Sequence, residues 1–167
     1  MKTLLALIAA TLLLVTGCNQ NQDTFRIAGE SEEAPPPDPR AETMWGHDVS
    51  TAQSRAKENG KLVLLDFTGS DWCPPCMALH DFVLTQPEFL NYAEKNLELV
   101  ELDFPQNKSI DKKLAEANDK LAKKYNIDGF PTIIVLDAAG KIVHRDVGYS
   151  GKNAKAYTAN LQKALAR

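Results

Sequence analysis

The chain has 167 residues, of which 44% are hydrophobic, and its formal net charge is −3. This slightly acidic balance excludes a protein built around a basic surface for nucleic acid or for an anionic membrane. Its three cysteines are too few for a disulfide-dense secreted scaffold, so an apolar core has to hold the folded part together. The length is sufficient for one ordinary domain with additional segments.

The first seventeen residues have the pattern of a secretory signal, in which Lys2 precedes an apolar run at 4–15 and small residues follow. The run is shorter than the roughly 18 residues that a membrane-spanning helix needs. The sequence VTGC at 15–18 resembles the lipobox of bacterial lipoproteins, which implies that Cys18 is lipidated and begins the mature chain. The alternative is an ordinary signal peptide with a cysteine near its end. We predict a lipoprotein signal peptide at 1–17.

Residues 18–43 are predicted to be the lipidated cysteine and a flexible tether. The segment is polar and acidic, shows no helical or strand period, and contains a proline run at 35–37. Several acyl chains make a stable membrane anchor where a single chain is marginal. The resemblance implies a periplasm-facing lipoprotein of the bacterial envelope. The outer membrane is favoured because Asn19 replaces the aspartate that retains some lipoproteins in the inner membrane.

The folded domain is predicted at 44–167. Its first helix is expected from Val49 to Asn59, with Asp48 as the N-cap and Gly60 just past the end. The run Leu62 to Phe67 is apolar except for Asp66, which is typical of a strand buried on both faces. The later elements are expected to be a helix at 77–84, a helix restarted by a capping box at 85–88, a strand at 97–104, a helix at 110–125, strands at 132–136 and 141–147, and a closing helix at 153–166.

This order of elements predicts the fold class. Crossover helices imply parallel strands, whereas the short turn between the last two strands implies an antiparallel hairpin. We therefore expect an α/β sandwich in three layers, with a mixed sheet of about four strands, a C-terminal β-hairpin and helices on both faces.

If Cys18 is lipidated, Cys73 and Cys76 are the two thiols that remain, and they lie three positions apart in the sequence. The pair stands where a strand ends and a helix begins. Cys73 is expected at the N-terminus of the helix, where the dipole lowers a thiol pKa, and Cys76 is close enough to resolve a mixed disulfide. Pro74 and Pro75 remove two backbone donors near the first sulfur. We expect this loss to destabilise the thiolate and to make the pair more reducing.

Other uses of the cysteine pair fit the sequence poorly. A zinc site would need about four ligands, and there is no second CxxC motif. Haem attachment requires histidine directly after the second cysteine, where Met77 stands. A copper-delivery protein would need wider cysteine spacing and a histidine, for which His144 is the distant candidate. We expect His47 and His80 to be ordinary surface residues, and we predict no metal and no cofactor other than the redox-active disulfide.

Several motifs together resemble the thioredoxin superfamily. They are Asp66-Phe67, Trp72-Cys73-x-x-Cys76, and Gly129-Phe130-Pro131-Thr132 before a buried strand. The longer motif from Asp66 to Cys73, together with Gly148-Tyr149, is most similar to small single-domain thioredoxin-like proteins of the envelope. The resemblance implies a thioredoxin-like fold and a thiol–disulfide oxidoreductase.

The resemblance also assigns the catalytic roles. Cys73 would be the attacking thiolate and Cys76 the resolving thiol. Asp66 matches a buried acid that relays a proton to or from the resolving cysteine, and burial would raise its pKa. The alternative is an aspartate satisfied by solvent or by a backbone amide. In thioredoxin itself the loop between this acid and the first cysteine is one residue shorter.

The same resemblance predicts a substrate-binding surface. Pro131 matches the cis-proline of the family, which leaves the backbone of Phe130 free to pair with an extended substrate strand. A trans turn proline is the alternative. The residues assigned to substrate binding are Trp72, Phe130 and Thr132.

The leading hypothesis is therefore a lipid-tethered, monomeric thiol–disulfide oxidoreductase that acts as a reductase in the envelope. Its partners would be protein thiols and disulfides and an envelope electron donor or acceptor, with no nucleic acid. The alternative is a redox-silent module that binds peptides through the same surface. The intact cysteine pair argues against that alternative, because a pure adaptor does not need both cysteines.

Overall fold

The computed structural model describes residues 33–166. The predicted signal peptide, Cys18 and the N-terminal part of the tether lie outside the described residues. Within the described part, no helix is long and apolar enough to cross a membrane.

Six α-helices and five strands make up the described part, and a π-helical segment, His80–Leu84, continues one of the helices. In chain order the helices and strands are α1 (Ala41–Met44), β1 (Trp45–Gly46), α2 (Val49–Asn59), β2 (Leu62–Thr68), α3 (Pro74–Leu79), α4 (Pro87–Asn96), β3 (Leu97–Asp103), α5 (Lys112–Lys124), β4 (Thr132–Leu136), β5 (Ile142–Val147) and α6 (Ala154–Leu165).

The strands form one mixed sheet in the order β1-β3-β2-β4-β5. Strands β1, β3 and β2 run parallel, whereas β4 is antiparallel to β2 and forms the C-terminal hairpin with β5. The mixed α/β sandwich that the sequence predicted is therefore confirmed. The sheet has five strands instead of about four because Trp45–Gly46 pairs with β3. Two residues are too few to produce a hydrophobic period.

Helices cover both faces of the sheet, and β2 contributes to both cores. Leu64 faces the core built with α3, α4 and α6, whereas Leu65 and Phe67 face the core built with α2 and α5. This alternation follows from the two-residue period of a strand. All three side chains are fully buried, and each such burial contributes about 1.5–3 kcal/mol. The central strand is thus fixed from both sides and gives the residues after it a rigid base.

The boundaries of α2 agree with its sequence signals. The Asp48 carboxylate accepts a hydrogen bond from the backbone N–H of Thr51, which satisfies one of the unpaired donors of the first turn. Gly60 ends the helix with φ at 68°, a left-handed conformation that glycine adopts without a steric penalty.

The start of α4 differs from the sequence prediction of a capping box at 85–88. Gln86 is the N-cap and makes no side-chain capping bond. The Thr85 hydroxyl instead donates to the His80 carbonyl at 3.0 Å, within the π-helical segment. Pro87 occupies the first turn of α4, where its fixed φ favours a helix and its missing N–H costs nothing. The capping-box prediction was wrong because the Thr85 hydroxyl bonds to the preceding helical segment and does not cap α4.

Contacts with the folded domain begin further toward the N-terminus than the predicted domain boundary at residue 44. The first three residues of helix α1 lie inside the segment assigned to the tether, and its last residue is Met44. The backbone N–H of Asp38 donates to the Thr85 carbonyl at 2.9 Å. The Arg40 guanidinium donates to Asn91 at 2.9 Å and to Glu94 at 3.1 Å, both in α4. These contacts join residues about 50 positions apart, so no local sequence period predicts them.

Candidate active site

The cysteine pair lies at the junction between β2 and α3, where the sequence placed it. Cys73 is the N-cap of α3 and forms a disulfide with Cys76, with Cα atoms 5.3 Å apart. Both cysteines are buried, at 4% and 2% exposure. Pro74 and Pro75 are exposed and occupy the first two helical positions. The first turn therefore offers no amide hydrogen from either residue to the Cys73 sulfur.

Two aspartates hold the loop that precedes Cys73. Asp103 accepts hydrogen bonds from the backbone N–H and the hydroxyl of Ser70, at 3.0 and 2.7 Å, and pairs with the Lys108 ammonium at 3.0 Å. Asp71 accepts from the backbone N–H groups of residues 106–108. These bonds, the one from residue 106 first, lower the pKa of Asp71. The loop before the nucleophile is thereby tied to the chain that follows β3.

Trp72 is half-buried beside the disulfide and is fixed by several contacts. Its indole N–H donates to the Phe104 carbonyl at 2.7 Å. Its ring meets Phe130 edge-on with centroids 5.8 Å apart, and Phe104 lies 5.2 Å from Phe130. Such aromatic contacts contribute about 0.5–1.5 kcal/mol beyond their burial. Because Trp72 precedes Cys73 and Phe130 precedes Pro131, this contact places the two loops side by side.

Gly69 leaves the space that the Trp72 indole occupies. A Cβ atom on Gly69 would lie 2.5 Å from Cε2 of that ring. We expect Gly69→Ala to displace Trp72 and to destabilise the fold by about 1–3 kcal/mol. Urea unfolding measures the loss, and tryptophan fluorescence of the folded chain reports the displacement. Gly46→Ala is the matched control, because its Cβ would meet the Leu99 carbonyl at an ordinary 3.7 Å. Equal stability of the two variants would contradict the prediction.

The Phe130–Pro131 peptide bond is cis, as the resemblance implied. The Pro131 carbonyl accepts a hydrogen bond from the Gly148 N–H at 2.8 Å, which fixes the loop to the end of β5. Phe130 remains half-buried, and together with Trp72 it forms an aromatic surface next to the disulfide.

Thr132 does not lie where the sequence analysis expected it. Its side chain is fully buried, and its hydroxyl donates to the Gly129 carbonyl at 2.7 Å. A buried hydroxyl needs such a partner, and here the partner belongs to the turn before the cis-proline. Thr132 therefore supports the loop from inside and does not present its side chain to a substrate.

Asp66 is buried in the centre of the sheet, with 4% of its surface exposed. Its Oδ1 atom has no hydrogen-bond partner among the described residues. Alternation along β2 places Asp66 on the face of Leu64, the face that α3 covers. Burial, followed by the charges of Glu101 and Asp103, raises the pKa of Asp66 to about 8. The carboxyl group is therefore mostly protonated at pH 7 and ionises at a pH close to neutrality.

The histidines take no part in this arrangement. His80 is exposed and hydrogen-bonded to Asp81 at 2.8 Å, and His47 is exposed beside the Glu101 carbonyl. His144 lies in β5. Among residues 33–166, no three histidine, cysteine, aspartate or glutamate side chains are grouped to hold a metal ion.

The sequence analysis gave no role to the polar residues that hold the loop. Ser70 and Asp71 stand inside the quoted motif, and their small polar side chains were the available signal. Asp103 gave no signal of its own, because an acidic residue at a strand end is ordinary. Its 33-residue separation from Ser70 means that only the parallel pairing of β2 with β3 brings the two together.

A cysteine pair at the N-terminus of a helix, beside a cis-proline loop on a mixed sheet, defines a thiol–disulfide oxidoreductase of the thioredoxin type. Comparison with known proteins agrees with this assignment. The family model described as the thioredoxin-like domain matches residues 49–165. The chain belongs to this family.

Relatives at the sequence level include the disulfide bond reductase DsbH of Chlamydia pneumoniae, which is 31% identical over 160 residues, covering 96% of this chain and 93% of the relative. A solved structure titled DsbH Oxidoreductase superposes with a TM-score of 0.68 at 32% identity, over 81% of this chain and 94% of that one. A thioredoxin from Thermus thermophilus, at a TM-score of 0.52 and 22% identity over 71% and 84% of the chains, shows the shared fold.

Proposed function

We propose that this protein reduces disulfide bonds of other proteins in the bacterial envelope and is anchored there through a lipid on Cys18. The observation that carries the reducing direction is the pair of prolines at the first two positions of α3. Amide hydrogens at a helix N-terminus stabilise a thiolate, and a stabilised thiolate makes a couple more oxidising. Their absence favours the disulfide form of the enzyme, and therefore donation of electrons. The likeness to a disulfide bond reductase supports the same direction.

The reaction begins when the Cys73 thiolate attacks a substrate disulfide. One substrate sulfur leaves as a thiolate, and a mixed disulfide with Cys73 forms. The Cys76 thiol then loses its proton to the Asp66 carboxylate, and its sulfur attacks Cys73. The second substrate sulfur leaves as a thiolate while the Cys73–Cys76 bond forms. Two electrons have passed to the substrate, so an electron donor of the envelope must reduce the enzyme again. The cycle needs no cofactor other than this disulfide.

The substrate would bind along the aromatic surface of Trp72 and Phe130. An extended peptide can add its backbone to a loop of this kind and place its sulfur at the neighbouring disulfide. Pro74, Pro75 and Met77 are exposed around the cysteines and extend this apolar surface. We propose protein thiols and disulfides as the partners, and a monomer as the working form.

The lipid anchor has its own test. Cys18→Ser is expected to move the protein from the membrane fraction to the soluble fraction of the envelope. The mature N-terminal peptide of the unaltered chain should carry the mass of the acyl groups. An unmodified Cys18 in that peptide would contradict the anchor without touching the redox proposal.

The direction of electron flow is tested by equilibrium of the Cys73–Cys76 pair with a glutathione buffer, in a Cys18→Ser chain so that only two thiols react. We expect a potential well below about −200 mV, as in reductases of this fold. Pro75→His, which restores a backbone donor, should raise the potential by about 30 mV or more. A potential near about −120 mV would make the protein a disulfide donor. No exchange at all would leave only a peptide-binding module.

A further inference from the structure

Four residues form one row across the sheet on the face that α3 and α6 cover. From one side to the other they are Glu101 in β3, Asp66 in β2, Ile133 in β4 and Asp146 in β5. Paired residues of neighbouring strands project to the same face and lie about 4.8 Å apart. Glu101 is therefore one strand spacing from Asp66, whereas Asp146 is two spacings away with an isoleucine between.

Asp66 also has charged and titratable neighbours outside the row. Asp103 lies two residues beyond Glu101, on the same face of β3, but the Lys108 ammonium pairs with it at 3.0 Å. From α6, the buried Tyr157 hydroxyl faces this region, and its pKa is raised by burial and then by the charges of Asp146 and Asp66. A neutral phenol contributes no compensating cation.

Glu101 differs from Asp103 in having no ion-pair partner among the described residues. Asp103 is neutralised by Lys108, whereas no lysine or arginine of residues 33–166 lies within 4.0 Å of the Glu101 carboxylate. Glu101 is half-buried, so solvent screens its charge only in part. After burial itself, Glu101 is the largest cause of the raised pKa of Asp66, ahead of Asp103. A negative charge this close disfavours the ionisation of Asp66.

We propose that Glu101 is a positioning residue that acts through Asp66: its negative charge holds Asp66 in the protonated form and sets the pH at which Asp66 can accept the proton of Cys76. This inference rests on the proposed function. It means that resolution of the mixed disulfide becomes faster as pH rises, because a larger fraction of Asp66 is ionised. Conversely, a protonated Asp66 can donate its proton to the Cys76 thiolate that is released when an electron donor reduces the disulfide.

The test removes the charge of Glu101 and keeps the size of its side chain. In the oxidised Glu101→Gln chain, the midpoint of the Asp66 carboxyl titration, followed by carbon NMR, should fall by about one pH unit. The pH midpoint of mixed-disulfide resolution should fall with it. Glu101→Asp, which keeps the charge, should restore most of the original midpoint.

Asp146→Asn is the matched control, because it removes the same charge from the same row at twice the distance. Its effect on the Asp66 midpoint should be less than half that of Glu101→Gln. An unshifted midpoint in Glu101→Gln, or equal shifts in both variants, overturns this inference while normal thiol exchange leaves the proposed function standing. If the unaltered chain does not exchange with glutathione at all, the proposed function and this inference are both wrong.

Discussion

Cys73→Ser is expected to reduce the rate of disulfide reduction to that of the uncatalysed reaction, because a serine hydroxyl does not ionise near neutral pH and cannot attack a disulfide. Cys76→Ser should behave differently. Its Cys73 thiolate can still attack, but nothing resolves the product, so a mixed disulfide accumulates. Mass spectrometry of the chain incubated with a disulfide-bonded protein measures both results. Helix α3 begins directly after Cys73, which makes this residue the one whose thiolate the helix terminus can stabilise.

The two variants need a control with the same chemical change. Cys18→Ser changes a cysteine outside the pair and should keep the rate of the unaltered chain. Trapping on Cys76 in the Cys73→Ser chain would reverse the assigned roles. Equal residual activity of both variants would show that the pair does not carry the reaction.

Asp66→Asn is expected to change both the stability and the rate. The pKa of Asp66 is about 8 in the folded chain and about 4 when unfolded, so the folded state binds one more proton between these values. The contribution of Asp66 to stability is therefore greatest below about pH 4 and falls as pH rises toward 8. Asparagine removes the cost of the buried charge. At pH 8 the variant should be more stable by on the order of 5 kcal/mol, with little difference at pH 4.

Urea unfolding of the oxidised chains at pH 4, 6 and 8 measures this dependence. Asp128→Asn makes the same change at an exposed position and should keep the pH slope of the unaltered chain. The Asp66→Asn chain should also resolve mixed disulfides at least about tenfold more slowly at pH 7, since a general base contributes about 10²–10⁴-fold. Parallel stability profiles for all three chains would exclude a raised pKa at Asp66.

The polar contacts before Cys73 explain how the longer loop is accommodated. One additional residue between a buried strand and the nucleophile would ordinarily leave the loop free to move. Here Asp71 satisfies three backbone donors after β3, and Ser70 is held by Asp103. Trp72 is in turn held by the Phe104 carbonyl. The nucleophile is thus positioned by three consecutive residues that bind the same neighbouring segment.

Local patterns predicted most of the helices and strands and the placement of the cysteine pair. The run from Leu62 to Phe67 is apolar except at Asp66 because both faces of β2 are buried. A strand buried on both faces has this pattern whichever elements pack against it. The Asp48 and Gly60 signals likewise act within one helical turn. Local signals failed at Thr85, where one side chain could serve either the preceding or the following helix and the observed bond is to His80.

What the sequence determined by itself is the chemistry that can occur: a cysteine pair at the start of a helix, an acid inside an apolar strand, and a proline before another strand. Only the tertiary structure decided what surrounds these groups. Thr132 faces inward, Ser70 meets Asp103, and Glu101 stands beside Asp66, each through the pairing of distant segments. Sheet register sets those neighbours, and register depends on how the whole core packs. Local sequence patterns therefore identify the reactive residues, whereas the fold determines which charged groups lie beside them and shift their pKa values.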